Sequence, residues 1–275
     1  MAYVTKICIY PIKSLDGVEV SRAKVLASGS LEYDRQYAIF DEKGKFVNGK
    51  RYGKIHLLRA KFNLENNAVS LSVTGSDTEE NFHLQADRKT LEAWLSDFFG
   101  FYVKLQENLV TGFPDDTRSP APTFISTATI KEVASWYEGK CFSINEGEIR
   151  RRLRTTVEID GVPAFWEDGL FSDDISRDSS QDKSSGLVPF RVGNISFVGV
   201  NPCQRCIVFA RDCDTGEQFS DFQKIFIVKR QESLPQWVAR SRFSHFYKLS
   251  VNTKLAPGES GNKIMRVTDD VSLLN

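Results

Sequence analysis

Between Asn201 and Glu217 the chain reads NPCQRCIVFARDCDTGE, which gathers Cys203, Cys206 and Cys213 around Arg205. Four chemistries compete for this spacing. A structural zinc site wants four Cys or His ligands in two pairs; the second pair is missing, and His245 is far along the chain. A redox dithiol sits at a helix N-terminus, where the dipole lowers the thiol pKa. CIVFAR is β-branched and aromatic, so it is expected to be a strand opened by Cys206. Buried cysteines can also act simply as small hydrophobes. A thiolate beside a cation is stabilised, however, and is a soft ligand for a heavy metal. Arg205, with Asn201, Gln204 and Asp212 nearby, makes that last chemistry available.

A second constellation is Arg150, Arg151, Arg152 and Arg154. Such a run is either a solvated face paired with carboxylates or a phosphate grip. Read as a strand, alternation puts Arg152 and Arg154 on one side, where guanidinium groups can hold phosphate oxygens in bidentate fashion. His56, His83 and His245 have no ligand-like spacing and are expected to be structural.

The elements that must position these residues are mostly strands. Short apolar runs (Val4, Ile7, Ile9, then Val18, Val20, Val25) are bounded by Pro11, Gly17 and Gly29. YAIFDEKGKFVNG predicts a hairpin turning at Glu42-Lys43-Gly44, and LLRAKFNLENNAVSLSV another at Asn66-Asn67. Leu91, Trp94, Leu95, Phe98 and Phe99 share one helical face, with Asp87 as N-cap and Gly100 as stop. A second helix is expected from Thr127 to Gly139, with Ile130, Val133, Ala134 and Tyr137 inward. Ser172–Gly186 is almost wholly polar and predicts a mobile loop. Strands resume in VPFRVGNISFVGV. No internal repeat is visible.

The 275 residues suffice for one large or two ordinary domains. With 36 Lys and Arg against 36 Asp and Glu, no global field draws the chain to nucleic acid or an anionic membrane, so an anion site must be a local cluster. No apolar run reaches the length of a membrane span, and the N-terminus lacks a signal-peptide shape. Five cysteines argue against a disulfide framework and for a reducing, cytoplasmic setting.

The cysteine segment NPCQRCIVFARDCDTGE resembles the signature of the MOSC family, named for the C-terminal domain of molybdenum cofactor sulfurases. VTKICIYPIKSLDGVEVSRAKV and EYDRQYAIFDEKGKFVNGKR resemble the family's N-terminal β-barrel domain. RRRLRTTVEIDGVPAFWEDGLF and RVTDDVSLL resemble the segments before and after the signature. The resemblance spans nearly the whole chain and is strongest to the mitochondrial amidoxime reducing component and its bacterial relatives. It implies a mostly β (α+β) protein, with an N-terminal β-barrel-like domain over 1–105 and a C-terminal MOSC β-barrel over 106–275.

The resemblance also implies a molybdenum cofactor, a Mo-pyranopterin with a phosphate tail and a dithiolene head. Cys206 would be the metal ligand and catalytic residue. Lys13, Ser14, Arg35 and Arg154 would contact the cofactor, with Thr156, Gln204 and Arg205 completing the site. Thr155-Thr156 stand where the family has Pro-Asn, and Gln204 where relatives often have serine. The implied reaction is reduction of small N-hydroxylated or N-oxide substrates. The chain shows no plant-type ferredoxin cysteine spacing, so electrons are expected from a separate ferredoxin- or flavin-type protein. A persulfide or cofactor carrier without catalysis, and a binding module without the cofactor, are the alternatives.

Overall fold

The structure is a computed structural model that describes residues 1–139, 144–173 and 186–274. The chain opens with β1 (Ala2–Ile9), whose Val4, Ile7 and Ile9 are buried, and two short strands, β2 (Val18–Val20) and β3 (Arg22–Val25). β4 (Tyr37–Asp41) follows. The turn expected after it forms: Lys45 carbonyl accepts from Asp41 N at 2.9 Å, and Gly44 has φ 67. The strand beyond that turn touches β4 only at a Phe40–Phe46 bridge.

The second hairpin is complete. β5 (Leu58–Asn63) pairs in register with β6 (Ala68–Val73), which pairs with β7 (Glu79–His83). Helix α1 (Arg88–Phe99) buries Leu91, Leu95 and Phe99, packs Trp94 and Phe98 on the same core, and stops at left-handed Gly100. Asp87 holds the cap position, but its carboxylate accepts from His83 N rather than from a helix N–H. β8 (Val103–Glu107) is the full-length partner of β4, because it brings buried Val103 and Leu105 to that core.

The remaining elements are β9 (Phe124–Ser126), α2 (Thr127–Ser135), α3 (Glu146–Leu153), β10 (Val157–Asp160), β11 (Val188–Val192), β12 (Ile195–Gln204), α4 (Phe222–Glu232), β13 (Lys248–Leu255), β14 (Lys263–Arg266) and β15 (Asp270–Leu273). Strands β10, β9, β13, β12, β11, β15 and β1 form a ring that closes where β1 pairs with β10. The fold is therefore α+β with a closed seven-stranded barrel. Its interior is apolar and aromatic, with the rings of Phe124, Phe190 and Phe197 packed 5.2–5.7 Å apart, Phe124 edge-on to the other two. β3 pairs with β14, so the first 25 residues are bound on two strands to the C-terminal part.

Two sequence expectations are corrected. The arginine run is not a strand but helix α3. Asn145 caps it by accepting from Glu148 N at 2.9 Å, and Glu146–Arg150 and Glu148–Arg152 pair one turn apart. CIVFAR is not a strand either. Arg205 N makes the last bond across to Tyr247 carbonyl, and Ile207–Ala210 coils into a 3-10 turn. That turn drives Phe209 into the rings of Phe222, Phe226 and Tyr247, a burial that outweighs β propensity. α2 starts at Thr127 as expected but stops at Ser135 rather than Gly139; Ile130, Val133 and Ala134 are buried on it, and Tyr137 is buried in the turn beyond its end. For Ser172–Gly186, the ends meet, Ser172 N donating to Gly186 carbonyl; residues 174–185 lie outside the described residues.

A buried ionic group ties α4 to the barrel. The Arg230 guanidinium, fully buried, donates to Asp168 at 2.5 Å and lies over the Phe165 ring. Next to it, Glu167 accepts from Thr129 Oγ1 and Ser126 N, while its Oε1 has no partner among the described residues. Burial, then the Asp168 charge, raises the Glu167 carboxyl above the usual range. The folded state thus binds a proton that the unfolded chain releases at lower pH, and Glu167 destabilises the fold as pH rises from the ordinary glutamate range. Glu167→Gln should gain stability relative to the parent between pH 5 and pH 8. A relative gain on the order of 1–2 kcal/mol is expected, read as a Tm difference of about 2–4 °C per kcal/mol. A Tm difference that is the same at both pH values would show that Glu167 ionises freely.

Candidate functional site

β1 delivers the first part of the site. Past Ile9 the chain leaves the barrel and crosses to β4: Tyr37 N donates to Pro11 carbonyl, and Lys13 N to Tyr37 carbonyl at 2.8 Å. This sets the Lys13-Ser14 turn, in which Ser14 takes a left-handed φ of 75. Arg35 N donates to Tyr10 carbonyl at 2.8 Å, so Arg35, also left-handed at φ 51, stands beside the same crossing. The second part comes from α3. Arg154 is its left-handed C-cap (φ 54), with its N–H on Arg150 carbonyl. The third part is the end of β12 and the following 3-10 turn, which carry Cys203 through Cys206.

These parts wall one cavity of about 560 Å³. Of the expected residues, Lys13, Ser14, Arg35, Arg154, Gln204, Arg205 and Cys206 all line it. Thr156 does not. It is buried, its N–H donates to Thr123 Oγ1, and it faces an adjoining cavity of about 470 Å³ that shares Arg154 and Arg59 as wall. Ten lining residues of the larger cavity are Lys or Arg and three are Asp, so a strongly positive field is concentrated here in a chain of zero net charge.

Most of these cations are held in place by partners. Lys13 Nζ donates to Asp115 at 2.7 Å and to Phe113 carbonyl at 2.9 Å. Burial, only partly offset by Asp115, lowers the Lys13 ammonium. Desolvation by the neighbouring walls opposes ionisation of Asp115, but the Lys13 and Arg35 charges hold its largely exposed carboxyl well below the usual range. Arg35 is paired with Asp34 and donates to Arg154 carbonyl at 3.1 Å. Arg152 is nearly inaccessible, paired with Glu148 and lying over the Phe219 and Phe222 rings. The shared strand face expected for Arg152 and Arg154 does not exist.

Arg205 turns back to Leu153 carbonyl and the Phe209 ring, fixing the cysteine turn against the end of α3. Arg154 differs from the rest. It lies 4.2 Å over the Tyr10 ring and makes no ion pair among the described residues, and its buried Nη2 has no hydrogen-bond partner among them.

The three cysteines of the segment separate by environment. Cys203 is buried, its Sγ donating to Asn252 Oδ1 at 2.8 Å, and burial pushes its thiol up to about 11. Cys213 is buried, and desolvation raises it to about 12. Cys206 alone of the three is half-exposed on the cavity wall. Sequence reading missed two contributors. Asp115 has no motif around it and is recruited by Lys13 across the fold. His56 lines the cavity, and burial, then the charges of Arg154, Arg211 and Arg59, holds its imidazole down at about 4.

Ser14, Arg35 and Arg154 are non-glycine residues in left-handed backbone, each costing about 1–2 kcal/mol. Their convergence on one cavity makes it the candidate functional site. A half-exposed thiol, a wall of cations and an unpartnered buried guanidinium nitrogen suit an anionic group with a soft metal at one end. They therefore fit a molybdenum cofactor.

Residues 1–102 match the model of the MOSC N-terminal beta barrel domain. Molybdenum cofactor sulfurase of Bos taurus is 25% identical over 256 residues, covering 81% of this chain and 28% of the relative. Molybdenum cofactor sulfurase of Homo sapiens is 25% identical over 266 residues with the same coverage. Molybdenum cofactor sulfurase 1 of Aedes aegypti is 33% identical over 81 residues, covering 30% of this chain and 10% of the relative. The chain thus spans less than a third of the length of these relatives, and no helix among its described residues is long and apolar enough to cross a membrane. Residues 1–102 thus match the MOSC N-terminal beta barrel domain, and the chain as a whole is similar along most of its length to molybdenum cofactor sulfurases.

Proposed function

We propose that the chain binds a molybdenum cofactor in the larger cavity and uses it to reduce N-hydroxylated or N-oxide small molecules, with electrons from a separate ferredoxin- or flavin-type protein in the cytoplasm. The observation that carries this reading is Arg154. A guanidinium held in left-handed backbone, with no ion pair and a buried unpartnered nitrogen among the described residues, on the cavity that Cys206 lines, suits an anionic ligand. When bound, the cofactor supplies a two-electron centre for breaking an N–O bond.

The chain's own residues bind and orient. Cys206 gives the soft sulfur ligand. Arg154 donates to phosphate or pterin oxygens. Lys13, aimed by Asp115, and Ser14 hold the same edge. Arg205 keeps the Cys206 turn against α3, so the sulfur stays at a fixed distance from the arginine wall. Thr156, one cavity over, supports the end of α3 from behind. The domain division near residue 105 remains part of this proposal, with β1 contributed to the C-terminal barrel.

A second reading has its own support: the relatives that cover 81% of the chain are named molybdenum cofactor sulfurases. In that reading the pocket carries sulfur or cofactor and does no reduction. A sulfane-sulfur signal on the purified protein, or bound molybdenum without reductase activity, would select it.

Two measurements test the proposal on protein made in a host that synthesises the cofactor. Cys206→Ser should lower bound molybdenum roughly tenfold or more, because a hydroxyl is a poor soft-metal ligand, while Cys203→Ser should lose less. Equal molybdenum in the Cys206 variant and the parent would remove the ligand assignment. Arg154→Asn keeps a residue that tolerates left-handed backbone but deletes the guanidinium. Its Tm should stay near the parent's, while cofactor retention through gel filtration falls roughly tenfold, as loss of a charge-assisted bond of about 1.5–3 kcal/mol requires. Unchanged retention would make Arg154 a bystander.

A further inference from the structure

His56 is the one described histidine on the cavity wall, and nothing in the proposed chemistry uses it. Its position is built with care. A Cβ on Gly49 would lie 2.7 Å from His56 Nε2 and 3.1 Å from Val208 Cγ2, so only glycine leaves room for the ring there. On the other side a Cβ on Gly216 would sit 3.3 Å from His56 Cβ and 2.5 Å from Gly53 carbonyl. Nε2 is buried and has no hydrogen-bond partner among the described residues.

The charged groups facing the imidazole are Arg59 on β5, Arg154 at the end of α3, and Arg211 and Asp212 in the loop after the cysteine turn. Backbone oxygens hold two of these guanidiniums. Arg59 Nη2 donates to the carbonyls of His56 and Cys213, and Arg211 Nη1 to that of Gly216. They cannot swing away from the ring without breaking those bonds.

We propose that His56 is a binding residue for the anion this cavity takes: its imidazole gains a proton from solvent as the anion enters, and the imidazolium then donates a charge-assisted hydrogen bond to it. The inference rests on reading the cavity as an anion site. Physically, a fourth cation among three guanidiniums, two of them fixed, is disfavoured until a dianion cancels their field, and then it is favoured. Burial and the same three arginines keep the ring neutral at ordinary pH, so protonation must follow the ligand rather than precede it. The ligand class is a group of at least two negative charges, such as a phosphate monoester. Affinity should therefore rise as pH falls, by up to tenfold per unit where a whole proton is taken up.

Sulfate is a suitable probe, since its charge is constant from pH 5 to pH 8. With only three histidines in the chain, the imidazole signals can be followed by 1H–15N NMR, and His56→Gln identifies that of His56. The His56 midpoint should rise by more than one pH unit in saturating sulfate relative to chloride at matched ionic strength, while those of His83 and His245 stay put. His56→Gln should also weaken sulfate binding several-fold more at pH 6 than at pH 8. Sulfate that shifts the backbone amides of Ser14 and Arg154 while leaving the His56 midpoint unmoved would overturn this inference alone. Sulfate that shifts none of them would overturn both it and the anion-site reading.

Discussion

The pairing of β1 with β10 on one side and β15 on the other is the constraint on which the rest depends. It closes a ring whose other six strands come from the C-terminal part of the chain. Closure removes the sheet edges and shields the aromatic interior. It also fixes where the chain exits: Tyr10 to Ser14 must leave at the barrel end where α3 stops and β12 delivers the cysteines. The cavity is a consequence of that closure, since its three walls come from segments far apart in sequence.

Concentrating cations in one cavity works against folding, and the structure limits the cost with local partners. Lys13 has Asp115, Arg35 has Asp34, Arg152 has Glu148 and Arg59 has Asp16 and Asp214. Buried cations are tolerated when paired. Arg154 and Arg205 are kept mainly by backbone and aromatic contacts, which leaves Arg154 able to serve a ligand. The left-handed backbone at Ser14, Arg35 and Arg154 adds strain at the same place, held there by the bonds of the crossing segments.

The cysteine segment shows how environment divides identical groups. Cys203 and Cys213 are desolvated, so their thiols are raised and inert, and Cys203 serves as a packed donor to Asn252. The 3-10 turn that buries Phe209 is what leaves Cys206 on the cavity wall. A continuing strand, as β-branched Ile207 and Val208 suggest, would have carried the segment past the cavity instead of folding it back against α3.

By itself the sequence determined the local elements with strong periodicity or explicit caps: α1 with its Gly100 stop, the face of α2, the Asn66-Asn67 hairpin, and the α+β class. The chemistry of the residues marked the arginine run and the Cys203–Cys206 pair, and only the family resemblance pointed to Lys13, Ser14 and Arg35; all of these positions line the cavity except Arg150. Tertiary structure decided the rest. Arg150–Leu153 became a helix because the Asn145 cap and one-turn ion pairs outweigh any alternation. CIVFAR became a turn because burial of Phe209 exceeds strand propensity. Thr156 was placed behind the site and Asp115 and His56 within it, because contacts between residues a hundred or more positions apart leave no trace in spacing. Composition could give zero net charge, but only the closing of the barrel could gather ten cations around one half-exposed thiol.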